Sequence, residues 1–445
     1  MGQREEAGQL TRSAYSATED NVSRVSPDRL PFLDGLRGFA ALYVLLHHAA
    51  LAVPPAGLHG QPLLTVRFLL RHGHAVVGIF IVLSGYCLAR PLVLNPESRT
   101  RLNLRSFLWR RACRIYPPYL AALCLSLVLI QAVPGLAKPQ RVPWDRALPS
   151  VGNGIVTSHV LLFHNLSNHW IYKIDPPMWS IATEWQIYLC FPALVVVWNR
   201  MGMRTCVASA FFVGFGMAAL AGPLTNSAIQ ELCPWFLGLF ALGMASAFGS
   251  SLHALASRQR GATLLDISLG VLSVGCLWLA MGSATRQGRQ FLLIDPLVGL
   301  GTALLLTRWA RRARSDSQRP IPPLLPLLGS RFAVWLGSIS YSLYLVHYPL
   351  LALADSRLRE LGLHDIDRFW TLLLVVSPLV LGGAALFHLV FERPFLHTRS
   401  GLDQNASVAR SPAPHVWYRR FSSPRLAPGS RDTVRSDHPP ADGRK

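Results

Sequence analysis

From residue 31 to residue 396, long apolar stretches of bilayer-crossing length alternate with short polar joints. Taken at roughly 20 residues each, ten spans are expected, near 33–52, 75–93, 115–133, 178–198, 205–222, 232–250, 264–281, 291–307, 333–351 and 371–391. The pattern predicts an all-α integral membrane protein of about ten transmembrane helices. The first span, PFLDGLRGFAALYVLLHHAALA, departs from pure apolarity with Arg37 near its start and His47 and His48 near its end. At 100° per residue, Arg37 and His48 fall within about 20° of one face, roughly 16 Å apart along the axis, whereas His47 points elsewhere. Ionisable groups inside a membrane helix turn toward a protein interior or a wet cavity rather than toward lipid.

Arginine distribution sets the expected orientation. The loop after the second span carries Arg99, Arg101, Arg105, Arg110, Arg111 and Arg114; the loop after the eighth carries Arg308, Arg311, Arg312, Arg314, Arg319 and Arg331. Both fall on one side together with the basic tail, so that side and both termini are expected in the cytoplasm, as for a multi-pass protein of the plasma (inner) membrane. The longest opposite loop, 134–177, holds Trp144, His164, His169 and Trp170 and faces outward. Residues 1–30 and 397–445 are polar, the latter rich in Pro, Ser, Arg and Asp, and are expected to be disordered cytoplasmic flanks of one membrane domain, 31–396. Ala50-Leu51-Ala52 imitates a signal cleavage site, but Arg37 and two histidines within the preceding segment favour a retained helix.

Composition narrows the function classes. A chain of 445 residues that is 51% hydrophobic and 15% charged is too apolar for a soluble protein. The net charge of +20 does not point to nucleic acid, because the basic residues lie between apolar spans without interleaved aromatic rings. The seven cysteines (Cys87, Cys113, Cys124, Cys190, Cys206, Cys233 and Cys276) lie in or beside apolar spans without ligand spacing. They read as small core hydrophobes, so neither a disulfide framework nor a metal site is expected.

Depth along the spans sorts the polar residues. His48, Glu184 and His347 fall toward the outer level and Arg37 toward the cytoplasmic one. Guanidinium groups offer planar forked donors that match phosphate, and histidine suits proton removal from a hydroxyl. The combination suggests a cytoplasmic phosphorylated donor serving an acceptor on the other side. Plainer roles compete: topology signals for the basic loops, headgroup anchoring for Arg110, Arg111 and Arg114, and core packing for His347. Ser84, in Val82-Leu83-Ser84-Gly85, reads as a helix-packing residue. A transporter or channel with a proton-relay histidine is the alternative class, but the paired broken helices of two matching halves are missing from the sequence.

Six strings, in order, resemble the integral-membrane acyltransferase type three family, whose members O-acylate bacterial surface polysaccharides, oligosaccharides and antibiotics. They are Phe32 to Gly38 followed by His48; Ile79 to Tyr86; Phe107 to Tyr119; Pro177 to Tyr188; Leu336 to Pro349; and Glu392-Arg393-Pro394. The resemblance covers about 31 to 396. It implies transfer of an acyl group, most simply acetyl, to a hydroxyl of a carbohydrate, lipid-linked or antibiotic acceptor. The donor would be cytoplasmic acyl-coenzyme A, a co-substrate rather than a resident cofactor. On that resemblance Arg37, Arg110, Arg111 and Arg114 hold the coenzyme phosphates. His48 acts as general base or carries the group as a transient acyl-imidazole, Glu184 orients or charge-balances the histidine, and Tyr188 donates to the oxyanion. Trp179, Tyr341 and His347 are expected in supporting places. Gly78 departs from the family pattern, where many relatives carry an acid, and a C-terminal hydrolase-like domain found in some relatives is not expected here.

Overall fold

The computed structural model describes residues 30–54, 61–137, 148–221, 232–252, 261–283, 291–314, 322 and 324–396. The expected polar flanks, Leu30 apart, lie outside the described residues. Each of the ten expected spans coincides with helix. In chain order the main helices are α1 (Pro31–Leu51), α2 (Gln61–Leu69), α3 (Gly73–Leu94), α4 (Leu104–Ala132), α5 (Asn153–Val160), α6 (Trp179–Met201) and α7 (Met203–Ala221). They continue as α8 (Phe236–Leu252), α9 (Gly261–Ser283), α10 (Phe291–Ala313), α11 (Arg331–Ser338), α12 (Ser340–Glu360), α13 (Asp365–Thr371) and α14 (Ser377–Phe387).

Six helical stretches among the described residues are long and apolar enough to cross a membrane, or seven if α11 and α12, bent by 66°, form one span. α8 is short at 17 residues. The polar residues of α1 dilute its apolarity, so helix count and span count differ.

Several arginines expected in loops belong to helices. Arg105, Arg110, Arg111 and Arg114 occupy the first three turns of α4, whose start is set by the Asn103 side chain accepting from Ser106 N at 3.0 Å. Arg308, Arg311 and Arg312 ride the end of α10, and Arg331 opens α11. An apolarity window stops at the first charge, but backbone hydrogen bonding runs on to the cap. Cations at the α10 C-terminus also suit its dipole.

α1 lies against α3, α11 and α12. Its closest crossing uses Gly38 and Gly337: a Cβ on Gly38 would stand 2.6 Å from Gly337 N, and one on Gly337 would stand 2.1 Å from Asp34 O. The α3–α8 crossing repeats the device, with a Cβ on Gly85 2.0 Å from Phe240 O and one on Gly243 2.0 Å from Val82 O. Lipid gives helices little hydrophobic reason to associate, so backbones approach through such glycines and gain dispersion contacts. The open carbonyls at the end of α1 are also closed. Arg67 donates to Ala50 and Val53 carbonyls at 2.7 and 2.5 Å, and Arg359 donates to Ala52 at 3.2 Å.

The chain closes through α13 and α14, each followed by a π-helical turn. In the second turn, buried Glu392 accepts from Ser342 Oγ of α12 at 2.5 Å and meets His388 Nδ1 at 2.9 Å. The closing Glu392-Arg393-Pro394 string thereby fastens the last helix to the bundle.

Candidate active site

A cavity of about 240 Å³ lies between α1, α3, α4, α6 and α12, with Arg37, Ser84, Arg111, Arg114, Glu184 and Tyr188 on its wall. At its centre three side chains form one hydrogen-bonded knot. Ser84 Oγ donates to Glu184 Oε1 at 3.0 Å and stands 2.7 Å from Tyr188 OH. Tyr188 OH in turn donates to Glu184 Oε1, a contact made within one helix by the four-residue spacing. A carboxylate far from water is expensive unless donors meet it, and two hydroxyls do so here.

Guanidinium groups form the next part of the wall. Arg37 stands 3.8 Å from Asp34 Oδ1 on its own helix. The Arg111 guanidinium carbon lies 5.8 Å from the ring centres of both Phe107 and Tyr188, within cation–π range. Arg110 is not on the wall; it donates to Ser106 one turn back on α4.

Tyrosines and a serine carry the polar lining onward. Tyr341 OH donates to Ile115 O at 3.0 Å, and Tyr344 OH lies 2.7 Å from Ser180 Oγ. The Tyr344 ring is 5.6 Å from that of His347, which is 5.1 Å from that of His48. His347 Nδ1 is 2.8 Å from the Tyr344 carbonyl. Since a carbonyl only accepts, Nδ1 carries the proton and Nε2 keeps its lone pair. That Nε2 is buried without a hydrogen-bond partner among the described residues. His47 does point elsewhere, its Nδ1 donating to the Leu70 carbonyl at 2.6 Å.

The expected site residues thus fall into two connected groups. Arg37, Arg111, Arg114, Glu184, Tyr188 and Tyr341 share the cavity, whereas His48 and His347 form a ring pair beyond Tyr344. The hydrogen bonds of Glu184 go to Ser84 and Tyr188, and the ring neighbours of His48 are His47, His347 and Tyr348. Glu184 is therefore not in direct contact with His48. Arg37 and Glu184 line the same cavity. Trp179 lies off this wall, stacked on His74 at 5.8 Å.

Ser84, expected to serve helix packing, lines the cavity instead, and Ser180 and Tyr344, not expected as site residues, join it there. In α3 the glycine serves the close crossing with α8, and the serine next to it, 100° around the helix, faces the cavity.

The helical bundle and its charged, hydroxyl-rich interior cavity define a multi-pass membrane protein. The chain belongs to the acyltransferase type three family: the family's model, an acyltransferase domain, matches residues 30–389. It is similar to the peptidoglycan O-acetyltransferase OatA of Listeria monocytogenes, 25% identical over 344 residues, 75% of this chain and 51% of that protein. It is also similar to the acyltransferase MdmB of Streptomyces mycarofaciens, 28% identical over 417 residues, 87% of this chain and 96% of that protein. The O-acetyltransferase OatA of Staphylococcus aureus is 24% identical over 339 residues, 74% of this chain and 52% of that protein. The chain spans about half the length of these OatA relatives. No solved structure matches it.

Proposed function

We propose that this protein is a membrane O-acyltransferase that moves an acyl group, most simply acetyl, from acyl-coenzyme A to a hydroxyl of a carbohydrate or glycosylated acceptor. The observation that carries this reading is one cavity wall that joins guanidinium groups to the Ser84–Tyr188–Glu184 cluster. The His347 ring, paired with that of His48, lies 5.6 Å from Tyr344 of the same wall. Family membership supports the reaction class, and the O-acetyltransferase relatives support acetyl as the group.

In this mechanism Arg37, Arg111 and Arg114 hold the coenzyme phosphates, with Arg110 steering from the mouth. The thioester arm extends past Glu184. The acceptor oxygen attacks the thioester carbonyl carbon as His48 takes the hydroxyl proton; the C–S bond then breaks and that proton passes to the departing sulfur, releasing coenzyme A as its thiol. Tyr188, now donating to Glu184, redirects that O–H toward the oxyanion, and His347 supports His48. On the acyl-imidazole route the histidine nitrogen attacks the thioester carbon and the C–S bond breaks to release the coenzyme thiol; the acceptor oxygen then attacks the acyl carbon, the N–C bond breaks, and the acceptor's proton returns to the imidazole.

Ten spans with both termini in the cytoplasm of a plasma-membrane protein would point the arginine-bearing start of α4 at the coenzyme supply. Residues 31–396 are then the transfer domain between a leader, 1–30, and a tail, 397–445.

The test is incubation of membranes carrying the protein with radiolabelled acetyl-coenzyme A and a crude glycan, lipid or antibiotic fraction. Ester-linked label in the acceptor is expected, lost in His48→Ala membranes of equal protein content. Vesicle uptake of unmodified solute without any label transfer would overturn the reading in favour of a transporter. Label trapped on His48 in denatured protein would select the acyl-imidazole route.

A further inference from the structure

Away from the cavity, three segments far apart in sequence bring nitrogen, sulfur and oxygen donors together. His74 lies in the first turn of α3, Cys233 just before α8, and Asp295 near the start of α10. Their donor atoms all lie within 4.8 Å of one another. His74 Nε2 is 3.0 Å from Asp295 Oδ2, and Trp235 Nε1 donates to that same oxygen at 2.8 Å. The other oxygen, Oδ1, is buried without a hydrogen-bond partner among the described residues, on a side chain that is 0% exposed.

We propose that His74, Cys233 and Asp295 form a binding site for one divalent ion of the zinc class. Imidazole, thiolate and carboxylate are the donors that zinc takes with a tetrahedral preference, and three protein ligands leave a fourth position for water. Sulfur in the set disfavours calcium and magnesium, which take oxygen ligands. Around a tetrahedral zinc, donor atoms stand about 3.3–3.8 Å apart, so the observed cluster needs to tighten by about 1 Å at its longest edge. The charges also close: a carboxylate, a thiolate whose proton leaves to solvent, and a dication sum to zero in a low-dielectric setting. An ion pair between His74 and Asp295 alone would account for Oδ2 but leave Oδ1 unmet.

Trp235 holds the carboxylate in place, and the His74 ring is fixed by stacking on Trp179 at 5.8 Å. Such support around metal ligands orients them. The ion would tie α3 and α10 to the entry of α8 near His47, whose ring fills the space a Cβ on Gly73 would need. Because Trp179 directly precedes Ser180 of the cavity wall, the tie would also steady α6. The inference does not depend on the acyl-transfer reading. No motif spacing could reveal ligands at 74, 233 and 295, hence the sequence expectation of no metal.

The test uses full-length protein purified in detergent through a tag without histidines, equilibrated with zinc and freed of loose metal by gel filtration. Elemental analysis is expected to find about one zinc per chain, falling to background in Asp295→Asn and Cys233→Ser and unchanged in Cys276→Ser. Cobalt loading of the unmodified protein is expected to give a thiolate-to-cobalt charge-transfer band, a readout that survives if a variant fails to fold. Less than about 0.1 zinc per chain, a cobalt spectrum without the thiolate band, or undiminished zinc in folded Cys233→Ser and Asp295→Asn would overturn the proposal.

Discussion

Ser84 Oγ of α3 stands 3.0 Å from Glu184 Oε1 of α6, joining two helices one hundred residues apart in sequence through the polar centre of the cavity. Tyr188 closes the triangle, so the carboxylate accepts two hydroxyls at a single oxygen. Glu184→Gln would keep the shape but turn an acceptor-only group into one that must also place two N–H donors. Acetyl transfer is expected to fall about 10²-fold in Glu184→Gln. Ser84→Ala, which leaves Tyr188 on the carboxylate, is expected to lose about tenfold. Label transfer from acetyl-coenzyme A in membranes of matched protein content measures both. Equal activity in all three proteins would remove the knot from the reaction.

The guanidinium wall leads to a separable kinetic effect. Arg111 and Arg114 line the cavity whereas Arg110 bonds to Ser106 on its own helix. Arg111→Lys and Arg114→Lys keep the charge but lose the forked geometry that fits phosphate, so KM for acetyl-coenzyme A should rise about tenfold with a smaller change in kcat. Arg110→Lys should shift KM less. A titration with dephosphorylated coenzyme derivatives checks the assignment: if the variants and the parent lose the same affinity when phosphate is removed, these arginines do not hold it.

Much of this architecture was legible because apolar period and length are strong signals, and α1 shows how far they reach. Arg37 does line an interior cavity and His47 does turn away, as 100° per residue requires, whereas His48 stands off that cavity wall beside the His347 ring. Contacts across sequence distance were not legible. Nothing in Val82-Leu83-Ser84-Gly85 tells which small residue meets a helix and which meets a cavity until α8 is packed against α3. The His74–Asp295 contact spans 221 positions, beyond any local pattern. The arginine run before Ile115 was assigned to a loop because charge masks a helix start that the Asn103 cap defines.

The α3–α8 crossing predicts a sharp size limit. A Cβ at Gly243 would sit 2.0 Å from Val82 O, and backbone cannot yield as a side-chain tip does. Gly243→Ala is therefore expected to cost at least about 1–3 kcal/mol through overpacking and to lower the unfolding temperature in detergent. Gly382→Ala on α14 meets nothing within 4 Å. It should be neutral or stabilising, because alanine is the better helix former by up to about 1 kcal/mol. Scanning fluorimetry of the two variants beside the parent checks this, and a Gly243→Ala protein as stable as the parent would disprove the tight crossing.

A pair of histidines in the segment between α4 and α6, His159 at the end of α5 and His164 just after it, predicts acid sensitivity. The buried rings of His159 and His164 stack with centres 3.9 Å apart and planes within 6°. Burial pushes His159 down to about 4, and burial together with the neighbouring His159 pushes His164 well below the ordinary histidine value. Both folded values lie below the value of about 6.5 expected in an open chain, so the opened loop binds protons first. Stability is therefore whole above about pH 6.5 and declines as pH falls toward 4, by up to about 1.4 kcal/mol per unit for each histidine. Hydrogen exchange over residues 153–166, corrected for intrinsic rates, should show protection near pH 7.5 that weakens near about pH 5. Replacing the pair as His159→Gln with His164→Gln should flatten that dependence. The same pH slope in the double variant would assign the acid sensitivity to other groups.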